Sequence, residues 1–355
     1  MDLVYENSVS AIETLQTKFH QQKDFFFTIS NFGDARHVFL FYAPLLFSLD
    51  RRIGTKLMWV TIIAEWSNQV LKWMLYGERP YWWIHETQVY NKTGSNTPAI
   101  QQYFLTCETG PGSPSGHATI AAAVWYILIT AFLEKSGPVS KNSKNMLVSV
   151  SWSIYTILLC VVSLSRVYIA AHFPHQCLLG MIIGCGLGIT MSKISLDSLK
   201  LKHYMMATAG LLGSALTTYA FLHALGLNPR WSVDRAMKWC AKQEFIHLDT
   251  TPFFSMMRYC GFMLGMGIGL NSILNKKAEE VPFTTGMKIA SAILAIGVTK
   301  LFERVPLPRY NINFFYFSAF VVYAILPFLM IAVAPYIVSR VWPAVVRPIA
   351  KKKKQ

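Results

Sequence analysis

The chain has 355 residues, of which 53% are hydrophobic and only 14% charged, with a formal net charge of +15. Charged residues make up about a quarter of an ordinary soluble chain, and the apolar residues here come in long blocks, which excludes a soluble globular protein. The basic residues sit in short clusters between those blocks, as in cytoplasmic loops; this argues against nucleic acid as a partner and for a phospholipid bilayer.

Met1 to Asp24 is polar and has no apolar core ahead of a cleavage site, so it does not read as a signal peptide. Nine spans are expected after it, at about Phe25–Leu49, Leu57–Tyr76, Ala118–Leu133, Met146–Ser165, Gln176–Met191, Tyr204–Leu227, Phe253–Leu274, Met287–Phe302 and Phe314–Val341. The first is interrupted by Asp34-Ala35-Arg36-His37, and several fall short of the roughly 20 residues a spanning helix needs. The fold class is therefore an all-α polytopic membrane protein of about nine transmembrane helices. It forms a single integral domain over residues 1–355 with a lysine-rich tail at 351–355.

Every second loop is basic: Arg51, Arg52 and Lys56; Lys135, Lys141 and Lys144; Lys193, Lys200 and Lys202; Lys276 and Lys277; then Lys351 to Lys354. The positive-inside rule places these in the cytoplasm. The N-terminus, residues 77–116, the turn 166–175 and residues 228–251 then lie on the opposite side. Asn91-Lys92-Thr93 on that side is a glycosylation sequon. The terminal lysines resemble a dilysine retrieval signal of endoplasmic reticulum membrane proteins; a tail that binds anionic lipid is the other reading.

The six cysteines show no CxxC pair and no metal spacing. Cys160, Cys177, Cys185 and Cys260 lie in apolar runs and read as packing residues. Cys107 and Cys240 lie in loops on one side, where a pairing between them stays open.

Polar residues inside a membrane are costly and usually do something. Glu65, Asn68 and Lys72 share one face of the second span, and Arg79 returns to it two turns later, before Pro80 ends the helix. Lys72 alone would also fit snorkelling to the interface. Thr109-Gly110-Pro111-Gly112-Ser113-Pro114-Ser115-Gly116-His117 is a stiff loop that feeds the third span, so His117 sits at a helix N-terminus suited to an anion. The fourth span ends in Ser165-Arg166, with His172 six residues on and Pro174 opening the fifth. Three cations and two histidines thus face one compartment. So dense a positive cluster would repel itself unless it surrounded an anion of about two charges, such as a phosphoryl group.

Lys72 and Arg79-Pro80, Pro114-Ser115-Gly116-His117, and Ser165-Arg166 with His172 resemble, in order and spacing, the three-part signature of the type 2 phosphatidate phosphatase and vanadium haloperoxidase superfamily. More narrowly, Arg79-Pro80-Tyr81-Trp82-Trp83, Cys107 to His117, His172-Phe173-Pro174-His175-Gln176, Trp239-Cys240 and His247 to Phe253 resemble the glucose-6-phosphatase catalytic subunit family, over essentially the whole chain. The resemblance implies an acid-phosphatase-type helical core. It implies hydrolysis of glucose 6-phosphate without metal or cofactor, on the luminal side of the endoplasmic reticulum, fed by a glucose-6-phosphate transporter. It also implies roles: His172 as nucleophile forming a phosphohistidine, His117 as proton donor, and Lys72, Arg79 and Arg166 as phosphoryl ligands, helped by Ser115 and Gly116.

Gln176 stands where the wider superfamily often has an aspartate that orients the nucleophile. One of the intramembrane acids, Asp34 or Glu65, is expected to supply the missing charge; structural pairing with Arg36 or another cation is the other reading. Glu108 reads either as an acceptor for a sugar hydroxyl or as a residue that orders its loop. His175 reads as structural, and Tyr81, Trp82 and Trp83 as an interfacial belt. The competing functions are a lipid phosphate phosphatase, which the extra spans and Gln176 oppose; a low-activity paralogue acting as a brake or binding protein; and an anion channel, which the nearly featureless sixth and eighth spans oppose.

Overall fold

A computed structural model of the chain describes residues 2–90, 97–137, 141–308 and 311–342. The sequon at Asn91 and the lysine tail lie outside them. The described residues are helical apart from loops and one isolated β-bridge, between Glu108 and His247. In chain order the helices are α1 (Asp2–Lys18), α2 (Lys23–Phe32), α3 (Ala35–Leu49, with a π turn at Val38–Tyr42), α4 (Arg51–Leu75) and α5 (Pro80–Glu86). Then come α6 (Gly116–Lys135), α7 (Lys141–Tyr168), α8 (Pro174–Ser192), α9 (Leu201–Ala224), α10 (Trp231–Trp239), α11 (Pro252–Asn271), α12 (Ile273–Glu279), α13 (Thr285–Glu303) and α14 (Asn313–Trp342).

Among the described residues seven helices, α6, α7, α8, α9, α11, α13 and α14, are long and apolar enough to cross a bilayer, in accord with a multi-pass membrane protein. The expected nine are not all of this kind. α3 is too short at Ala35–Leu49. α4 is long enough, but Glu65, Asn68, Gln69 and Lys72 make one of its faces polar, and all four are buried in the protein.

The chain divides into two compact units: Met1–Ala35, Ile63–Lys193 and Ala215–Ser255 in one, and Arg36–Ile62, Ile194–Ser214 and Met256–Gln355 in the other. In the second unit, Phe39 packs on Tyr259 and Phe262, Gly267 abuts Tyr204, and Thr299 donates to Leu40 O. The candidate site belongs wholly to the first.

Two devices set the frame of that first unit. Gly180 and Gly184 lie one turn apart on α8 and let α6 approach at backbone distance. A Cβ at Gly180 would stand 2.6 Å from Ser115 O, and one at Gly184 would stand 2.2 Å from Thr119 O. Small residues four apart are a usual means of close helix packing in lipid. Here they fix the start of α6, with His117, against the start of α8, just after His172. The second device is α1, a helix that the polar N-terminal sequence does not announce. It is a weakly amphipathic helix whose Tyr5, Val9, Ile12 and Gln16 are buried. Tyr5 packs on Phe173 and Trp83, and Gln16 Nε2 donates to Tyr168 O at 2.7 Å. Tyr81, Trp82 and Trp83 are 0, 0 and 5% exposed. They form an apolar core with α1, Phe173 and Ala236 of α10, instead of the expected belt.

Candidate active site

The loop before α6 is held by backbone fit. Gly112 N–H donates to Gly77 O at 2.7 Å, and a Cβ at Gly112 would stand 2.2 Å from Glu78 O, so the position admits only glycine. Asn68, buried on α4, donates through Nδ2 to Pro114 O at 3.2 Å. Ser115 stands at the N-cap position of α6 without a side-chain capping bond and is fully buried, and its own N–H is already donated to Gln176 O at 3.0 Å. Gly116 opens the helix close to Asn68, whose Oδ1 a Cβ there would meet at 3.4 Å.

Arg79 is 0% exposed, and its donors are fully engaged. Nε reaches Gly110 O at 2.7 Å, Nη1 reaches Ala171 O at 2.9 Å and His172 Nε2 at 3.4 Å, and Nη2 reaches Pro111 O at 3.2 Å and Glu108 Oε2 at 2.9 Å. The guanidinium therefore fastens the loop 110–111 to the turn before His172. Arg166, also buried, donates from Nη1 to Ser30 Oγ at 2.7 Å and from Nη2 to Glu108 Oε1, while its Nε has no partner among the described residues. Lys72 is buried too, and a Cβ at Gly110 would stand 3.7 Å from its Nζ.

His172 lies in the turn between α7 and α8 and is 0% exposed. Its Nδ1 is 2.7 Å from Gly112 O. A carbonyl only accepts, so Nδ1 carries the proton and Nε2 presents a lone pair. Gln176 Oε1 is more distant, at 3.4 Å, and accepts from Phe173 N–H, while Gln176 Nε2 donates to Glu78 O at 2.6 Å. The orienting acceptor of the ring is thus a backbone carbonyl, which side-chain motifs do not display. Burial, then Arg79, holds the imidazole well below its ordinary pKa, against the pull of Glu108, so the ring is neutral.

Glu108 is the residue the sequence placed least well. Its carboxylate lies among the cations: Oε1 contacts Arg166 Nη2 and is 3.9 Å from His117 Nδ1, while Oε2 is 2.9 Å from Arg79 Nη2 and 3.8 Å from His172 Nε2. Burial would raise its pKa, but Arg166 and then Arg79 hold it well below the ordinary carboxylate range. The cluster of cations expected to stand unpaired therefore has a counter-charge, and the acid that reaches His172 is Glu108, not Asp34 or Glu65. Asp34 Oδ2 lies 3.8 Å from His117 Nε2. Glu65 is buried two turns back along α4, within electrostatic reach of Lys72.

The backbone around Glu108 is tied down on both sides. Cys107 forms a disulfide with Cys240 and accepts from His247 N–H at 3.2 Å. Thr109 N–H donates to Thr250 Oγ1 at 3.0 Å, and Thr109 Oγ1 donates to His247 O at 2.9 Å. Tyr81 OH donates to Glu108 O at 2.9 Å. His175 stays out of the site, stacked on Phe173.

The arrangement presents a neutral imidazole and a second imidazole on two sides of one point, with two guanidiniums and an ammonium around it. Fixed charges with little room for water are what transfer of a dianionic group requires. Residues 53–200 match the PAP2 superfamily. The chain is 36% identical to glucose-6-phosphatase 2 of Homo sapiens over 340 residues, covering 94% of this chain and 95% of that one. It is 35% identical to glucose-6-phosphatase catalytic subunit 1 of Rattus norvegicus over 345 residues, 96% of each. With the protein of that name from Haplochromis nubilus it shares 41% identity over 302 residues, 84% of this chain and 83% of the relative. No solved structure matches.

Proposed function

Since this chain belongs to the glucose-6-phosphatase catalytic subunit family, we propose that it hydrolyses glucose 6-phosphate to glucose and phosphate through a phosphohistidine at His172. The observation that carries this is the convergence of His172 Nε2, His117 Nδ1, Arg79 and Arg166 on one point, where the Glu108 carboxylate lies within 3.9 Å of both rings. A phosphoryl group at that point has a nucleophile on one side and an acid on the other.

In the first step the Nε2 lone pair of His172 forms the N–P bond while the bond from phosphorus to the sugar oxygen breaks. His117 gives its proton to the departing oxygen. Asp34, 3.8 Å from Nε2 of His117, is placed to pair with the protonated ring. Lys72, Arg79 and Arg166 stabilise the equatorial oxygens, with Ser115 and Gly116 forming the floor beneath them at the start of α6. In the second step His117 accepts a proton from water, the oxygen attacks phosphorus, and the N–P bond breaks. The Nδ1–H bond to Gly112 O keeps His172 in the reactive tautomer throughout.

We place the site in the lumen of the endoplasmic reticulum, with the N-terminus luminal and the C-terminus cytoplasmic. The Cys107–Cys240 disulfide beside the site supports an oxidising compartment, and the alternate basic loops support the opposite side as cytoplasmic. The substrate then has to cross the membrane, which calls for coupling to a glucose-6-phosphate transporter.

Phosphate release from glucose 6-phosphate by detergent-solubilised protein tests the reading, with a chelator present, a His172→Ala control, and mannose 6-phosphate and a soluble phosphatidate in parallel. Release from the sugar phosphate that resists the chelator and vanishes in the control is the expected result. Release from the lipid alone would assign a lipid phosphate phosphatase, and release from none would leave a binding protein.

A further inference from the structure

Three buried cations in an empty pocket would be costly, because an uncompensated charge removed from water is strongly destabilising. In the free protein that problem is solved from within. We propose that Glu108 is an internal counter-anion, whose carboxylate occupies the place of the phosphoryl group and must be displaced for a dianion to bind. The proposal rests on the phosphatase reading above, since it concerns the same pocket.

The contacts of the carboxylate are those the proposed mechanism asks of a phosphoryl group. One oxygen is on Arg166 and the other is 2.9 Å from Arg79, with His117 and His172 at 3.9 and 3.8 Å. At hydrogen-bond distance there is no space between carboxylate and guanidinium for a second anion, so the two occupants exclude each other. The open Nε of Arg166 is a further donor that Glu108 leaves unused and that a phosphoryl oxygen, with its greater number of acceptor sites, can take.

The surroundings hold the backbone, so the proposed exchange falls to the side chain. The disulfide at Cys107, the two bonds of Thr109 to residues 247 and 250, and the Tyr81 bond to Glu108 O hold the backbone on either side. Only the two methylenes and the carboxylate of Glu108 need to swing.

The device has a consequence for selectivity. A ligand must outcompete a tethered monoanion that is already in place at a high effective concentration. A dianionic phosphate does so through its second charge and extra oxygens, whereas a monoanion gains nothing over the carboxylate it would replace. Once the sugar has left and the phosphohistidine is hydrolysed, return of the carboxylate also helps to expel inorganic phosphate.

The test compares binding of inorganic phosphate, and separately of formate, to the full-length protein and to Glu108→Gln by isothermal titration in detergent at neutral pH. The expected result is phosphate binding at least tenfold tighter in Glu108→Gln, together with measurable formate binding that the unaltered protein lacks. A merely structural role for Glu108 moves the affinity the other way, because Arg79 and Arg166 would lose a partner that positions them. Equal or weaker phosphate binding by the folded variant overturns the proposal. Glu108→Asp keeps the charge but shortens its reach by one methylene; it should bind phosphate several-fold tighter, and it decides the matter if Glu108→Gln does not fold. Tight phosphate binding by the variant without glucose 6-phosphate hydrolysis by the unaltered protein would uphold the counter-anion and refute the hydrolase reading instead.

Discussion

Replacing Arg79 by lysine separates two roles of one side chain, and Arg166→Lys is its control. Arg79 spends Nε, Nη1 and Nη2 on the carbonyls of Gly110, Ala171 and Pro111, all in a site with no exposure at the guanidinium. An ammonium has three donors but gathers them at one point, whereas the guanidinium spreads five over a rigid plane. Lysine can keep one of the three carbonyls, and two become buried acceptors without a donor. At roughly 1.5–3 kcal/mol for each lost bond to a charged donor, the loop and turn lose about 3–6 kcal/mol. Among the described residues the Arg166 guanidinium binds no carbonyl; its partners are Ser30 Oγ and Glu108. An ammonium there keeps the ion pair with Glu108 and gives up the Ser30 bond, for roughly 1.5–3 kcal/mol, about half the loss at Arg79. Both substitutions remove a planar donor from the phosphoryl site, so each should lower kcat/KM by about a hundredfold or more. Thermal unfolding in detergent, read beside phosphate release, separates the two effects. Equal stability losses in the two variants, or an Arg79→Lys protein as stable as the parent, would show that the 110–111 loop does not depend on the guanidinium, and would refute the reasoning.

Three further outcomes follow from the same geometry. Gly184→Val should push α8 away from Thr119 O, which already lies 2.2 Å from where a Cβ would stand; a displacement of about 1 Å between His117 and His172 should lower kcat by roughly a hundredfold, and full activity would contradict the packing. Reduction of the Cys107–Cys240 disulfide, or its replacement by Cys107→Ser with Cys240→Ser, should destabilise the loops it joins by up to about 4 kcal/mol and abolish turnover; a reductant titration with retained activity would argue otherwise. The pKa of His172 is depressed on folding, so the unfolded chain takes up a proton that the native ring refuses. Stability from this group is present above the ordinary value of 6.5 and is lost as pH falls from there toward the folded pKa. The melting temperature of the free protein should therefore decline below pH 6.5, with a shallower decline in His172→Gln; parallel profiles would remove His172 as the source.

How much of this site was legible in the sequence depends on what kind of group carries each role. The cations and both histidines are announced by spacing, because each stands on or beside a helix end: Lys72 in the last turn of α4, Arg79 just before α5, His117 at the start of α6, Arg166 in the last turn of α7 and His172 just before α8; α4 itself stops at Leu75, so Arg79 reaches the site from extended backbone and not along the face of α4, and Pro80 opens α5 instead of ending α4. Fixed helix geometry turns a count of residues into a position in space. Glu108 stands in a loop whose course is set by a disulfide to Cys240 and by hydrogen bonds to residues 247 and 250, all far along the chain. Nothing local fixes it, so the sequence supports a sugar ligand or a loop brace equally well. Gly112 O, which orients His172, is invisible for a different reason: every residue has a carbonyl, and only the fold chooses one. Tyr81, Trp82 and Trp83 mislead because an aromatic run at a helix end looks alike in a lipid belt and in a core; what buries them is α1, a helix of low amphipathicity, and α10, a segment far along the chain, and patterning marks neither as their cover. Net charge hides Glu108 in the same way. Counting only the cations that spacing reveals requires an external anion, whereas the folded chain supplies its own, and the phosphoryl group enters by exchange with it and not by filling an empty site.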